Sequence, residues 1–481
     1  MGDEERIRKV GDLDPADLEA ALRQVATWVA SYRRTVATLP VLARVQPGAV
    51  RDALPPEPPI HGDSVERWLE DLDRIILPGV THWNHPGFLA YFGITGSGPG
   101  ILAETITAAL NVNGMLWKTC PALTELEQVV VGWYARALGL PADWFGMIAD
   151  TASTSTLVAL TAAREAAGVD VREEGLSGIR PLVLYCSEEA HSSVEKAAIV
   201  LGLGRRHVRR IPTDERFRMK ADVLDHALRE DRHEGKLPFA VVATVGTTSA
   251  TAVDPVPAIA EVCRRHEVWL HVDAAYAGSA AVAEEFRWAL DGCQEADSLV
   301  ANPHKWLFTP IDCSVLLTSR PEVFRRALSL VPEYLRTDAA GVVDLMDYSF
   351  QLGRRFRALK LWFVFRHFGL EGLKEAVRRH VRLARAFAAR VDEHPAFERL
   401  APVPFSVVCF RVRPPGETDE AVLERLNLAL LERVNARGEV FLSHTRLKGK
   451  LCLRVAVGNL ATDEAHLERT FALLCEEAGL Q

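Results

Sequence analysis

Five short apolar runs punctuate the middle of this 481-residue chain: PLVLYCS (181–187), FAVVATVG (239–246), VWLHVDAAY (268–276), DSLVAN (297–302) and CSVLLTS (313–319). They are rich in β-branched residues and continuously apolar, not alternating, so each reads as a strand buried on both faces. Helical patterns lie between them, as in VPAIAEVCRRH (256–266). Strands of this kind alternating with helices predict an α/β fold with a mostly parallel sheet covered on both sides. In such sheets ligands gather at the carboxyl ends of the strands. The polar residues just after the runs are therefore the site candidates: Ser187 to His191, Thr247-Thr248, Asp273, and Asn302 to Lys305.

The flanks read differently. Residues 1–97 form an N-terminal helical segment, opened by Asp14 as cap with Pro15 in the first turn. PPEPPI (55–60) stops the helical pattern and ERWLEDLDRII (66–76) resumes it. This segment is too small to bury its own apolar face, so it is expected to pack on the main domain or on a second subunit. Residues 98–364 make the large central domain. Residues 365–481 read as a small α+β domain with strands at SVVCFRV (406–412) and KLCLRVAV (450–457). Thr418 is placed as the cap of a helix carrying Val422, Leu426, Leu430 and Val434 and ending at Gly438. Thr462 is placed as the cap of a last helix through Leu474.

Composition narrows the class. The net charge of -8 and pI of about 6.0 argue against nucleic acid, which calls for a basic face. Pairs such as Arg205-Arg206 read as solvated helix faces. The eight cysteines include no C-x-x-C pair and read as reduced thiols, with no zinc site. The N-terminus MGDEERIRKV has no apolar signal core, and Arg6 breaks the myristoylation pattern. No apolar run approaches the roughly 20 residues that span a bilayer. A cytoplasmic protein without a membrane partner is expected.

Four features carry chemistry. In FGMIADTASTSTLVALTAAREAA (145–167), an apolar segment passes through small polar residues into a helix. Thr151, Ala152 and Ser153 fall at the helix start, where free N–H groups and the helix dipole attract anions; plain capping by a hydroxyl accounts for the same pattern. Asp273 closes a strongly apolar strand, where a carboxylate is costly without a cationic partner such as a protonated pyridine nitrogen; an Asp at a strand end that caps the next turn is the alternative. Ala274 and Ala275 leave room for a flat ring. Lys305, in NPHKW, follows another strand at the same edge, and burial would free its amine as a nucleophile; a solvated surface lysine is the alternative. His191, ahead of a helix, could stack on a ring or meet a substrate carboxylate. Together they supply an anion cradle, a ring stacker, a pyridinium partner and an amine.

With these residues in place the chain resembles the group II pyridoxal-phosphate-dependent decarboxylases, and most closely the aromatic L-amino-acid decarboxylases. The matching runs are THWNHPGFLAYF (81–92), PALTELE (121–127), AHSSVEKA (190–197), ATVGTT (243–248), WLHVDAAYAGSA (269–280), ADSLVANPHKWL (296–307) and LGRRFRALKLWFVFR (352–366). The resemblance implies fold type I, pyridoxal 5'-phosphate as cofactor, and an obligate homodimer with active sites at the interface. It places Lys305 on the Schiff-base lysine, Ala152, Ser153 and Asn302 on phosphate contacts, Thr248 and Asp273 on other cofactor contacts, His191 on the ring-stacking histidine, and His304 beside the cofactor.

Further roles follow from the same resemblance. Tyr334 falls on the loop tyrosine that returns a proton to the carbanion after carbon dioxide leaves; a phenol is a reasonable acid there. Relatives that make aldehydes tend to replace this tyrosine or the histidine, so Tyr334 with His191 favours an amine product. An aldehyde synthase and a homologue that binds the cofactor without turnover are the alternatives. Trp83, Tyr91 and Phe92 match aromatic pocket positions, and Gly353 a small residue near the substrate ring. Ile94 stands where animal members often place a threonine, and Asn113 and Met115 where they place larger residues, so these three bear on substrate choice.

Overall fold

The structure, a computed structural model, describes residues 12–330 and 341–480. Seven strands form one sheet in the order β1-β7-β6-β5-β4-β2-β3. They are β1 (Phe145–Ala149), β2 (Leu182–Ser187), β3 (Val208–Ile211), β4 (Leu237–Thr244), β5 (Trp269–Asp273), β6 (Ser298–Ala301) and β7 (Ser314–Thr318). The pairs from β3 through β6 are parallel. The strand β7 runs antiparallel to both β6 and β1. Its apolar run cannot reveal that reversal, because a strand covered on both faces looks the same in either direction. The edge strand β3, VRRI, is only partly buried and has no apolar run to mark it in sequence.

Helix Ala152–Ala166 crosses β4, β5 and β6, which brings its N-terminus to their carboxyl ends. Helix Gly98–Leu110 packs on the long helix Arg357–Glu393, which breaks at Gly369 where φ is +60°. The long helix joins the large sheet to a second, antiparallel sheet in the order β10-β11-β9-β8. Its strands are β8 (Phe397–Arg399), β9 (Val407–Val412), β10 (Ser443–Leu447) and β11 (Lys450–Ala456). A separate apolar core under this sheet joins Leu89 to Phe387, Phe410, Leu430, Leu453 and Leu473.

Helix caps follow the carboxylates. Asp14 caps Pro15–Thr35 as expected, accepting from Ala16 N at 2.8 Å and Asp17 N at 2.9 Å. Two other assignments move by one residue. Asp419, not Thr418, caps Glu420–Arg437, with Oδ1 accepting from Ala421 N at 2.8 Å. Asp463, not Thr462, caps Glu464–Ala478, while the Thr462 hydroxyl donates to Pro86 O at 2.7 Å. An adjacent Asp offers a charged acceptor to the first-turn N–H groups, which outcompetes the neighbouring hydroxyl. No residue of helix Pro15–Thr35 is buried, and Leu18, Leu22 and Val25 face outward. Among the described residues no helix is long and apolar enough to cross a membrane.

Candidate active site

The carboxyl ends of β4 and β5 and the segments after β2 and β6 enclose a cavity of about 220 Å³. Thr151, Ala152, Ser153, His191, Thr248, Asp273, Ala275, Asn302, His304, Lys305 and Phe92 all line it. Residues spread over more than two hundred positions thus meet at the one edge where strand direction aims them.

The anion end lies at helix Ala152–Ala166. Thr151 is extended and makes no side-chain cap to this helix. Its backbone N–H donates to Asp150 Oδ1 at 2.5 Å, and its hydroxyl to the same oxygen at 3.3 Å. Hydroxyl capping therefore does not explain the Thr-Ala-Ser sequence; the first-turn N–H groups have no side-chain cap, as an anion site requires.

Asp273 ends β5 and is buried, with Oδ1 accepting from Ala275 N at 3.1 Å. Lys305 sits in the short helix Pro303–Trp306 just after β6, its N–H bonded to Asn302 O at 3.0 Å. Its Nζ lies 5.4 Å from the centre of the Phe92 ring. Phe92 stacks on Tyr276 at 3.7 Å and Tyr276 on Trp306 at 4.7 Å, so the amine stands on a rigid aromatic floor. Burial lowers the Lys305 ammonium below its ordinary range, and the Asp273 charge opposes that shift. Partial desolvation likewise lowers His191, again opposed by Asp273 and reinforced by Lys305. Ser193 N–H donates to His191 Nδ1 at 3.2 Å, so the neutral ring carries its proton on Nε2.

His304 fixes Asn302 by the same logic. Cys313 N–H donates to His304 Nδ1 at 2.9 Å, and burial holds the ring down to about 4, so its proton sits on Nε2. That nitrogen lies 3.4 Å from the end of the Asn302 side chain. The partner facing an N–H must be the amide oxygen, which turns the amide NH₂ of Asn302 to the cavity.

These residues fit pyridoxal phosphate. Two buried polar atoms in the cavity wall, Thr244 Oγ1 and the outward atom of the Asn302 amide, have no partner among the described residues. A polar ligand would satisfy them. Lys305 and Asp273 supply an amine and a carboxylate for the aldehyde and ring-nitrogen sides of such a ligand. Thr244, Gly246 and Tyr276 also line the cavity and were not among the sequence candidates. Gly246 has φ +89°, and a Cβ there would meet Ala277 Cβ at 2.5 Å; its place between β4 and Thr248 was the available signal. Arg454 was also missed. Buried in β11, it donates to Ala90 O at 2.9 Å, Thr248 O at 2.8 Å and Ser249 O at 3.0 Å, tying the small sheet to the cavity wall.

The expected substrate residues divide. Phe92 and His191 line the cavity; Trp83, Tyr91, Ile94, Asn113, Met115 and Gly353 do not. Trp83 and Tyr91 join Phe88 and Phe441 in an aromatic cluster. Asn113 Oδ1 accepts from Arg354 N at 2.9 Å, and its amide lies 3.3 Å from Met115 Sδ, so Asn113, Met115 and the Gly353-Arg354 turn form a second group. Ile94 is partly buried. Tyr91 and Gly353 are exposed, and nothing lies within 4 Å of a Cβ added at Gly353. Within one chain these positions are surface. Tyr334 lies outside the described residues.

Comparison with known proteins agrees with this site. The pyridoxal-dependent decarboxylase conserved domain matches residues 47–413. Tyrosine decarboxylase 4 of Petroselinum crispum is 40% identical over 480 residues, covering 97% of this chain and 94% of the relative. Phenylacetaldehyde synthase of Arabidopsis thaliana is 39% identical over 488 residues, covering 99% and 96%. A crystal structure of Oryza sativa TDC with PLP and tryptamine superposes with a TM-score of 0.95 at 36% identity, covering 98% of this chain and 99% of that one. With the family domain matched over most of its length and the fold shared end to end, the chain belongs to the pyridoxal-dependent decarboxylases of fold type I.

Proposed function

We propose that this protein decarboxylates an aromatic L-amino acid to the corresponding arylalkylamine. The observation that carries the reading is the meeting of Lys305, Asp273, His191 and the uncapped helix start at Thr151–Ser153 in one cavity. Bound pyridoxal phosphate supplies an electron sink for the pair released when the bond to the carboxylate breaks. The residues of this chain do the rest. The helix N-terminus and the Asn302 amide would hold the phosphate, Asp273 would keep the pyridine nitrogen protonated, and the Lys305 amine would anchor the aldehyde end of the cofactor. His191, with its proton on Nε2, lines the cavity where it would lie against the cofactor ring and offer a donor to the substrate carboxylate. Carbon dioxide leaves, and Tyr334 returns a proton to the carbon it left. Phe92 gives the cavity an apolar wall suited to an aromatic side chain, and the tyrosine decarboxylase and TDC likenesses support that substrate class.

We also infer a homodimer in the cytoplasm. Tyr91, Leu102, Ile106, Leu110, Phe350 and Leu352, with Leu18, Leu22 and Val25 of helix Pro15–Thr35, are apolar side chains left exposed on the single chain. A second copy would cover them and bring the Trp83–Tyr91 or the Asn113–Gly353 group to the cavity mouth. The eight unpaired cysteines suit a reducing compartment. Purified protein loaded with cofactor, given L-tryptophan, L-tyrosine, L-DOPA and L-phenylalanine in turn, is expected to release carbon dioxide and amine in equal amounts. Aldehyde with peroxide in place of amine would make it an aldehyde synthase, the activity named for the Arabidopsis relative. No turnover of any of the four would leave only a cofactor-binding homologue. Sedimentation at micromolar concentration is expected to give twice the chain mass of 53.1 kDa.

A further inference from the structure

His271 is the one histidine of the central strand β5, and nothing in the reaction above uses it. It is fully buried. It lies two residues before Asp273, so both side chains leave the same face of the strand. Its Nδ1 is 2.9 Å from the hydroxyl of Ser298, the residue facing it on β6. That hydroxyl also accepts from Trp269 Nε1 at 3.0 Å. An indole N–H only donates, so the single proton of Ser298 is free for His271 Nδ1. The opposite arrangement, with Nδ1 donating, would leave the Ser298 proton without an acceptor as well as His271 Nε2 without a donor. The arrangement with fewer unmade bonds puts the imidazole proton on Nε2. That atom is buried and has no hydrogen-bond partner among the described residues.

Burial pushes His271 down to about 4, so the ring is neutral; the charge of Asp273 is the larger opposing influence and the Ser298 backbone carbonyl the smaller. Asp273 is thus the negative charge felt in common by Lys305, His191 and His271. One Asp273 oxygen is already held by Ala275 N–H. An unpartnered buried donor two residues away, on the same face, fits a role in holding the rest of that carboxylate.

We propose that His271 is a positioning residue for Asp273: its Nε2–H, set by the Ser298 hydroxyl on the other ring nitrogen, donates to the buried side of the carboxylate, through one ordered water, and keeps the outer side turned to the pyridine nitrogen of the cofactor. A water suits the span between side chains two apart on a strand, which is too long for a direct hydrogen bond. The inference rests on Asp273 being the partner of that nitrogen.

The test compares binding of pyridoxal phosphate with its 1-deaza analogue, which lacks the ring nitrogen, to the full chain stripped of cofactor. Wild-type protein is expected to prefer pyridoxal phosphate by roughly tenfold or more, as a charge-assisted hydrogen bond implies. His271→Phe keeps the volume without the donor and is expected to lose most of that preference, to within about threefold of none. His271→Gln places an amide nitrogen near the Nε2 position and is expected to retain it. His271→Asn reaches only the Ser298 side and is expected to behave like Phe. The proposal is overturned if His271→Phe weakens both ligands equally, which is what a purely structural residue would do, or if Gln and Phe lose the preference alike. A wild-type protein with no preference would overturn the reading of Asp273 itself, and that failure appears before any substitution is made.

Discussion

At the scale of single residues the site is a balance of burial against charge. Burial drives Lys305 toward the free amine, and Asp273 restrains it. The same trade governs the buried pair beside the Gly353 turn. Arg354 bonds Glu127 and donates to Ile148 O at 3.1 Å, and Glu127 Oε1 accepts from Ile148 N at 2.7 Å. The second Glu127 oxygen and Arg354 Nε have no partner among the described residues. Removing one member strands a buried charge, whereas removing both need not. Arg354→Met is therefore expected to cost about 3–5 kcal/mol in denaturant melts, and Glu127→Leu combined with Arg354→Met much less. Equal losses would show that the pair is not coupled. Lys305, Asp273 and His191 were legible in sequence because each is a polar residue that closes or follows an apolar strand. Tyr276 and Arg454 were not: a stacked ring and a clamp from the small sheet depend on segments that only folding brings together.

Elements were legible where burial is complete and blurred where it is partial. The runs at β2, β4, β5 and β6 carry the site because both of their faces are covered, which is also why β7 concealed its antiparallel direction. The charged edge strand β3 carried no apolar signal. Helix ends moved by one residue where an Asp follows a Thr. Since Asp419 and not Thr418 accepts from the first turn of Glu420–Arg437, Asp419→Ala is expected to lower stability by about 1 kcal/mol. Thr418→Ala is expected to stay within about 0.5 kcal/mol. Chemical denaturation of the two variants checks this, and the reverse order would return the cap to Thr418. Helix Ala152–Ala166, at the cavity, shows the opposite device, a first turn without a side-chain cap.

Across the whole molecule, buried neutral histidines set a pH limit. His85, His271, His304 and His380 are each held down to about 4, mainly by burial. His380 illustrates the constraint: Trp306 Nε1 donates to its Nδ1 at 3.0 Å, so a second ring proton has no place. In the unfolded chain these rings titrate near 6.5. Between 6.5 and about 4 the unfolded state binds protons that the folded state refuses, so stability is full above that window and is lost as pH falls through it. Asp254, raised to about 6 by burial, works in the opposite sense, as do the carboxyls of Glu127, Glu189 and Asp297, also raised by burial, while burial of His82 and His191 adds to the effect of the four rings. The melting temperature is expected to drop between pH 7 and pH 5; a flat profile would mean that these rings are not held neutral. Sequence could not foresee this, since a histidine in an apolar run does not reveal which of its nitrogens the fold will occupy.

The account of the molecule turns on Lys305 as the residue that holds the cofactor. Borohydride reduction of the loaded protein, followed by proteolysis and mass mapping, tests it most directly. The account predicts a single pyridoxyl modification on the peptide containing NPHKW, at Lys305, with both the label and the visible absorbance absent in Lys305→Ala. A label on any other lysine, or one that persists in that variant, would contradict it.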